Sequence, residues 1–219
     1  MLRRLLVFVL AALSLSGLWA AAPLDFTNLL AQLRQAFGDD AYERGQRWQS
    51  AVERSRDKSP EEQLTIINDF FNQLTFSNDI DVWGQEDYWA TPIEFIGRGA
   101  GDCEDFAIAK YYSLIEAGFP AEKLRLMYVK ALDYNQHHMV LTYYERRGVE
   151  PLVLDNIDKK IRPAGERDDL LPIYSFNADF LWLAKARNSG KHVGKSDRIS
   201  LWRELQERFS SQVKQEGNE

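Results

Sequence analysis

Apolar positions recur at a helical period over the first third of the chain. Leu29, Leu30, Leu33 and Phe37 mark one helix, and a second, more polar one carries Trp48 and Val52. Ser59, Pro60 and Glu62 supply a cap, a first-turn proline and a capping-box acid. They open a helix whose apolar face is Ile66, Ile67, Phe70, Phe71 and Leu74. From Ser77 to Gly101 the period is lost in a stretch of aromatics, acids and glycines, including Trp83, Glu86, Asp87, Tyr88 and Trp89. It reads as a long functional loop. A further helix is expected from Cys103 to Ala117, closed by Gly118 and Pro120.

Beyond it the period changes to two. Leu124–Ala131, Gln136–Glu145 and Leu152–Ile157 read as strands, with Arg146, Arg147 and Gly148 turning the second into the third; Leu171–Phe176 adds a fourth. Asn177 is expected to start a short helix, and Ser196 to cap a last one bearing Leu201, Trp202, Leu205, Phe209 and Val213. Helices first and strands later define an α+β fold.

The extreme N-terminus stands apart. Arg3 and Arg4, an apolar run from Leu5, and Ala20, Ala21 and Ala22 follow the order of a secretory signal peptide over residues 1–22. An uncleaved membrane anchor is the competing reading, against which Ser14, Ser16 and Gly17 interrupt the run. Residues 23–219 then form one domain: a helical part at 23–76, a core at 77–187 and a C-terminal helix at 196–214. Two of the 27 basic residues and none of the 33 acidic ones lie in the signal, so the formal charge of −6 becomes −8 on its removal. Such a surface repels phosphate backbones, and no basic aromatic stripe offsets it, which argues against nucleic acid as a partner.

The chain has a single cysteine, so no intrachain disulfide can form. A lone cysteine is most often a small buried hydrophobe. Cys103, however, follows Gly99-Ala100-Gly101-Asp102 at the first turn of a predicted helix, where unpaired N–H groups and the macrodipole favour a thiolate. Centring the hairpin between Arg146 and Arg147 sets His138 opposite Asp155 on one face of the sheet, with His137 on the other. A thiol, an imidazole and an orienting carboxylate are the groups a Cys-His-Asp triad requires. Asp102, Glu104 and Asp105 crowd the thiol. They either compensate the helix dipole or hold a cation, and hard oxygen ligands on an exported protein suit Ca²⁺, with Glu86 or Asp87 as additional candidates.

Four ordered motifs now stand together: Asp87-Tyr88-Trp89-Ala90-Thr91-Pro92, Gly101-Asp102-Cys103-Glu104-Asp105, His137-His138-Met139-Val140-Leu141 and Leu152-Val153-Leu154-Asp155-Asn156. Over roughly Ile80 to Phe180 the chain resembles the bacterial transglutaminase-like cysteine proteases of the LapG type, and from Arg187 onward the resemblance is weak. It implies a papain-like or transglutaminase-like core, with the nucleophile helix packed on an antiparallel sheet. It places the nucleophile at Cys103, the base at His138, the orienting acid at Asp155, and calcium-binding acids at Asp102, Glu104 and Asp105. It further implies a periplasmic protease that cleaves the N-terminal region of a large surface adhesin at paired alanines. An inner-membrane cyclic di-GMP receptor of the LapD type would hold that protease in check. An acyl transferase using the same triad, and an exported adaptor that binds peptide without chemistry, are the alternatives.

Overall fold

The computed structural model describes residues 23–183 and 191–214; the expected signal peptide at 1–22 lies outside the described residues. The helical third forms as its periodicity predicts: α1 Phe26–Phe37, α2 Asp39–Ser55 and α3 Pro60–Phe71. At the start of α3 Ser59 accepts from the Glu62 N–H while the Glu62 side chain accepts from the Ser59 N–H, closing the expected capping box.

The stretch expected to be one long loop is instead largely organised. It contains β1 Thr75–Phe76, the single turn α4 Asp79–Val82, α5 Pro92–Arg98 and β2 Ala100–Gly101. Helix α5 carries the same signature as α3: Thr91 caps it, Pro92 opens it, Glu94 completes a capping box, and Gly99 ends it at φ +69°. Strands β1 and β2 pair in parallel, Phe76 against Gly101, and bring the chain to the helix that matters most.

That helix is α6, Cys103–Glu116. Phe106, Ala107, Ile108, Ala109, Tyr111 and Leu114 are all buried, so the helix is apolar around most of its circumference. Such a helix belongs inside a core. It lies between α2, α3 and α5 on one side and the sheet on the other. The sheet has seven antiparallel strands in the order β6-β5-β4-β3-β7-β8-β9: β3 Leu124–Ala131, β4 Gln136–Tyr143, β5 Leu152–Leu154, β6 Arg162–Pro163, β7 Leu170–Phe176, β8 Phe180–Leu183 and β9 Lys191–Lys195. The α+β architecture, with the helix that starts at Cys103 packed on an antiparallel sheet, is the expected one.

Three further local expectations are corrected. Asn177 starts no helix: its carboxamide oxygen accepts from the N–H groups of Asp179 and Phe180, and the resulting tight turn leads into β8. The β4–β5 register also differs. Leu141 faces Leu154 and Tyr143 faces Leu152, two residues from the pairing obtained by centring the turn at Arg146 and Arg147. Because the shift is even, side chains keep their faces. The C-terminal helix α7, Ser200–Lys214, starts four residues later than expected: Ser196 does not cap it but opens a short turn at Ser196–Arg198 and donates its hydroxyl to the Ala178 carbonyl, while α7 buries Trp202 and Leu205 in the main core. No helix among the described residues is long and apolar enough to cross a membrane.

Candidate active site

Cys103 is the first residue of α6 and is half-buried. Its sulfur sits against β4, where the backbone N–H of Met139 favours the thiolate. Burial, followed by the charges of Glu104 and Asp102, outweighs that help and pushes the thiol well above its ordinary pKa. The thiol itself hydrogen-bonds Glu104 Oε2 at 2.8 Å.

On β4, beside Met139, stands His138, buried to 3% exposure. Its Nε2 lies 2.7 Å from Asp155 Oδ1. With the carboxylate ionised, Nε2 carries the proton and Nδ1 is left with its lone pair, the state a general base needs. His137, the other histidine of the pair, is exposed and stacks on Tyr128.

Asp155 lies just past the end of β5 and is itself 1% exposed. Oδ1 also accepts from the N–H groups of Asn156 and Ile157. Oδ2 accepts from Arg167 Nη2 at 2.7 Å. Burial raises this carboxyl, but hydrogen bonds and charge from His138, the Ile157 N–H and Arg167 outweigh it and hold the group well below the usual carboxylate range. The main-chain oxygen of Asp155 takes two further donors, Asn72 Nδ2 at 2.9 Å and Lys110 Nζ at 3.0 Å. Neither Lys110 nor Arg167 is foreseen by sequence reasoning. Lys110 hides in the apolar run of α6, and Arg167 sits in the charged run Glu166-Arg167-Asp168-Asp169, which reads as solvated surface.

The expected acids converge beside the thiol, with one addition. Carboxylate oxygens of Asp79, Asp102 and Asp105 lie within 4.8 Å of one another, and Asp102, Cys103 and Glu104 form a second such group. Asp79 replaces Glu86 and Asp87, which are exposed and belong to neither group. It sits on α4, a one-turn helix without periodicity, so nothing in the pattern marks it beforehand. Asp102 is the N-cap of α6 yet makes no side-chain capping bond. Asp79 Oδ1, Asp102 Oδ1 and Asp105 Oδ2 are all buried and without a hydrogen-bond partner.

Three crowded carboxylates cannot all stay ionised unaided. Burial pushes Asp79 up to about 6. Burial, then Glu104 and Asp105, push Asp102 up to about 10. Burial likewise drives Asp105 well above the usual carboxylate range, against the lowering hydrogen bond from the Ala90 N–H. An all-oxygen set with unpaired lone pairs fits a hard divalent cation.

Of the aromatics in this region, Trp89 is core, stacked on Phe176, whereas Trp83 is only partly buried and tilts against Tyr88.

A helix-start cysteine set against the strand that carries a histidine–aspartate pair, on this α+β scaffold, is the arrangement of a papain-like or transglutaminase-like thiol enzyme. The chain belongs to the bacterial transglutaminase-like cysteine proteinases (BTLCP), whose family profile matches residues 32–168. It is a cysteine protease of the LapG type. Its fold is similar to that of Legionella pneumophila LapG in an EGTA-treated structure, at 40% identity and a TM-score of 0.75 over 85% of this chain and 99% of that one. The calcium-bound form of the Legionella protein matches at 40% identity and a TM-score of 0.71, covering 82% and 97% of the two chains. No curated protein matches.

Proposed function

We propose that this chain is a calcium-dependent periplasmic endopeptidase with Cys103 as nucleophile, His138 as base and Asp155 as orienting acid. The contact of His138 Nε2 with Asp155 Oδ1, on the strand against which Cys103 packs, carries the reading. His138 Nδ1 takes the thiol proton as sulfur attacks the scissile carbonyl, then returns it to the departing amine. Water, activated by the same nitrogen, releases the acyl group. The Cys103 N–H, unpaired at the helix start, donates to the developing oxyanion.

Asp79, Asp102, Glu104 and Asp105 would hold the cation, as the orphaned oxygens of the three aspartates, the grouping of Glu104 with Asp102 and the calcium-bound form of the Legionella relative support. A bound Ca²⁺ supplies positive charge that neutralises the acids otherwise disfavouring the Cys103 thiolate.

The substrate we infer is the N-terminal region of a large surface adhesin, cut at paired alanines. Cleavage releases the adhesin and disperses the biofilm, and an inner-membrane cyclic di-GMP receptor of the LapD type restrains it. Family membership and the likeness to LapG support this reading, and the N-terminal signal pattern supports export. Incubating an adhesin N-terminal fragment with wild type and Cys103→Ala tests it. Cleavage by wild type alone, blocked by EGTA and by the receptor's periplasmic domain, is expected. Equal cleavage by both proteins overturns the assignment of Cys103.

A further inference from the structure

The geometry points to Arg167 as a positioning residue that brackets the two partners of the thiol, an inference that rests on the triad reading above. The Asp155 carboxylate has two unequal oxygens. Oδ1 serves His138 and two backbone N–H groups, whereas Oδ2 is bonded to Arg167 Nη2 alone. The terminal torsion of an aspartate is broad. Without a partner on Oδ2, only Oδ1 is held, and the carboxylate plane can swing about that oxygen and lose its alignment with the imidazole.

Arg167 is in turn held rigid. Its Nε donates to Asp169 Oδ1 at 2.9 Å and its Nη2 to Asp169 Oδ2 at 2.8 Å, the fork-to-fork pairing that fixes a guanidinium plane. The main-chain oxygen of Asp169 accepts from the Leu132 N–H at 2.8 Å. Leu132 follows β3 and opens the turn into β4, the strand that carries His138. One three-residue segment therefore grips the carboxylate by a side chain and the histidine's hairpin by a backbone bond.

The surroundings argue against Arg167 as a mere stabiliser. Its side chain is 4% exposed and shares a small cavity with Val129, Val140, Val153 and Leu170 on the side of the sheet away from the main core. An ion pair placed among apolar residues generally adds little stability over a well-packed hydrophobic replacement. Arg167 Nη1 is left buried without a partner, a further cost. Its distinctive contribution is directional: a fixed donor on Oδ2 and a fixed Oδ1 for the imidazole.

The test uses the full chain, labelled with ¹⁵N-histidine, in wild-type, Arg167→Met, Arg167→Lys and Asp169→Asn forms; His138→Gln assigns the His138 signals. Arg167→Met is expected to lose about 10²-fold in kcat on an adhesin N-terminal fragment with KM unchanged, the scale of a small misplacement of a catalytic group. Its His138 signals should pass from a single Nε2–H tautomer to a mixture. Arg167→Lys, which keeps the charge but not the fork, should remain folded and lose about tenfold. Asp169→Asn, which only loosens the guanidinium, should lose less. If Arg167→Met does not fold, the other two variants decide. A folded Arg167→Met or Arg167→Lys protein with wild-type kcat, or with an unchanged His138 tautomer, overturns the proposal. Full cleavage by Cys103→Ala would bring down the triad reading instead, and the His138 spectrum would still report whether Arg167 sets Asp155.

Discussion

Asp79 should make the metal-free protein lose stability as the pH rises, opposite to the usual behaviour of a paired carboxylate. The group is 4% exposed, and burial lifts it from 3.8 to about 6. An acid whose folded pKa is raised is held protonated by the folded state after the unfolded chain has released its proton. Stability is therefore intact below about pH 4 and declines as pH climbs through 6. A rise of that size corresponds to about 3 kcal/mol. For a chain of 219 residues this is roughly 6–12 °C in Tm, and Asp102 and Asp105 act in the same direction. Two other buried groups stay out of the window. Asp155, held low, withdraws its contribution only in stronger acid, and Lys110, lowered by burial to about 7, adds stability only above that pH. Thermal melts in EGTA at pH 4.5, 5.5 and 6.5 should fall in that order. Excess Ca²⁺ at pH 6.5 should recover the loss, by about 2.7 kcal/mol at a hundredfold excess over its Kd. Asp79→Asn keeps an acceptor for the Tyr88 N–H, so it should raise the EGTA melt at pH 6.5 and blunt the calcium response. A metal-free melt that is level or rising from pH 4.5 to 6.5, together with no response to Ca²⁺, would refute the reasoning.

Other outcomes follow from single contacts. Asp155→Ala leaves the Nε2 proton without its acceptor, so kcat of the folded variant in the fragment assay should drop on the order of 10³–10⁴-fold; a drop under tenfold would contradict the tautomer argument. Gly101→Ala places a methyl group against the Asp105 carboxylate. It should cost about 1–3 kcal/mol in urea unfolding and weaken Tb³⁺ luminescence at the acidic cluster, and an unchanged terbium titration would count against the cluster. Thr91→Ala removes the cap of α5 and a contact with Gln212, with an expected loss of about 1 kcal/mol; an unmoved urea midpoint would contradict it. Trp202→Ala should cost about 3–5 kcal/mol by the same measurement, because the ring is fully buried against Phe176 and Tyr112, and a small effect would mean that α7 is dispensable.

Most of the fold is legible from periodicity, because α1, α2, α3 and α7 each present one apolar face, and Cys103 opens α6 where the glycines and acids indicate. The pairing of His138 with Asp155 is anticipated although the register is displaced by two residues, since parity rather than register decides which face a side chain occupies. What escapes has physical causes. Helix α5 is obscured by the aromatic and glycine-rich residues around it, although Thr91-Pro92 and Glu94 repeat the signature that is plain at Ser59. Asn177 is an ordinary helix-capping residue type that here serves a turn into a strand. Asp79 and Arg167 act across the fold, on groups 23 and 12 positions distant, and no local pattern encodes such distances.

Helix α7 reaches back to the site from the far end of the chain. Arg208 donates to the Trp89 carbonyl and covers the Tyr88 ring, and Gln212 meets Thr91 and Glu94. The segment so braced supplies the Tyr88 and Ala90 N–H groups that hold Asp79 and Asp105. The centre is therefore finished by residues that lie about a hundred positions after Cys103 in the chain. A nascent chain bearing Cys103, His138 and Asp155 but lacking α7 has its reactive groups without the support beneath them.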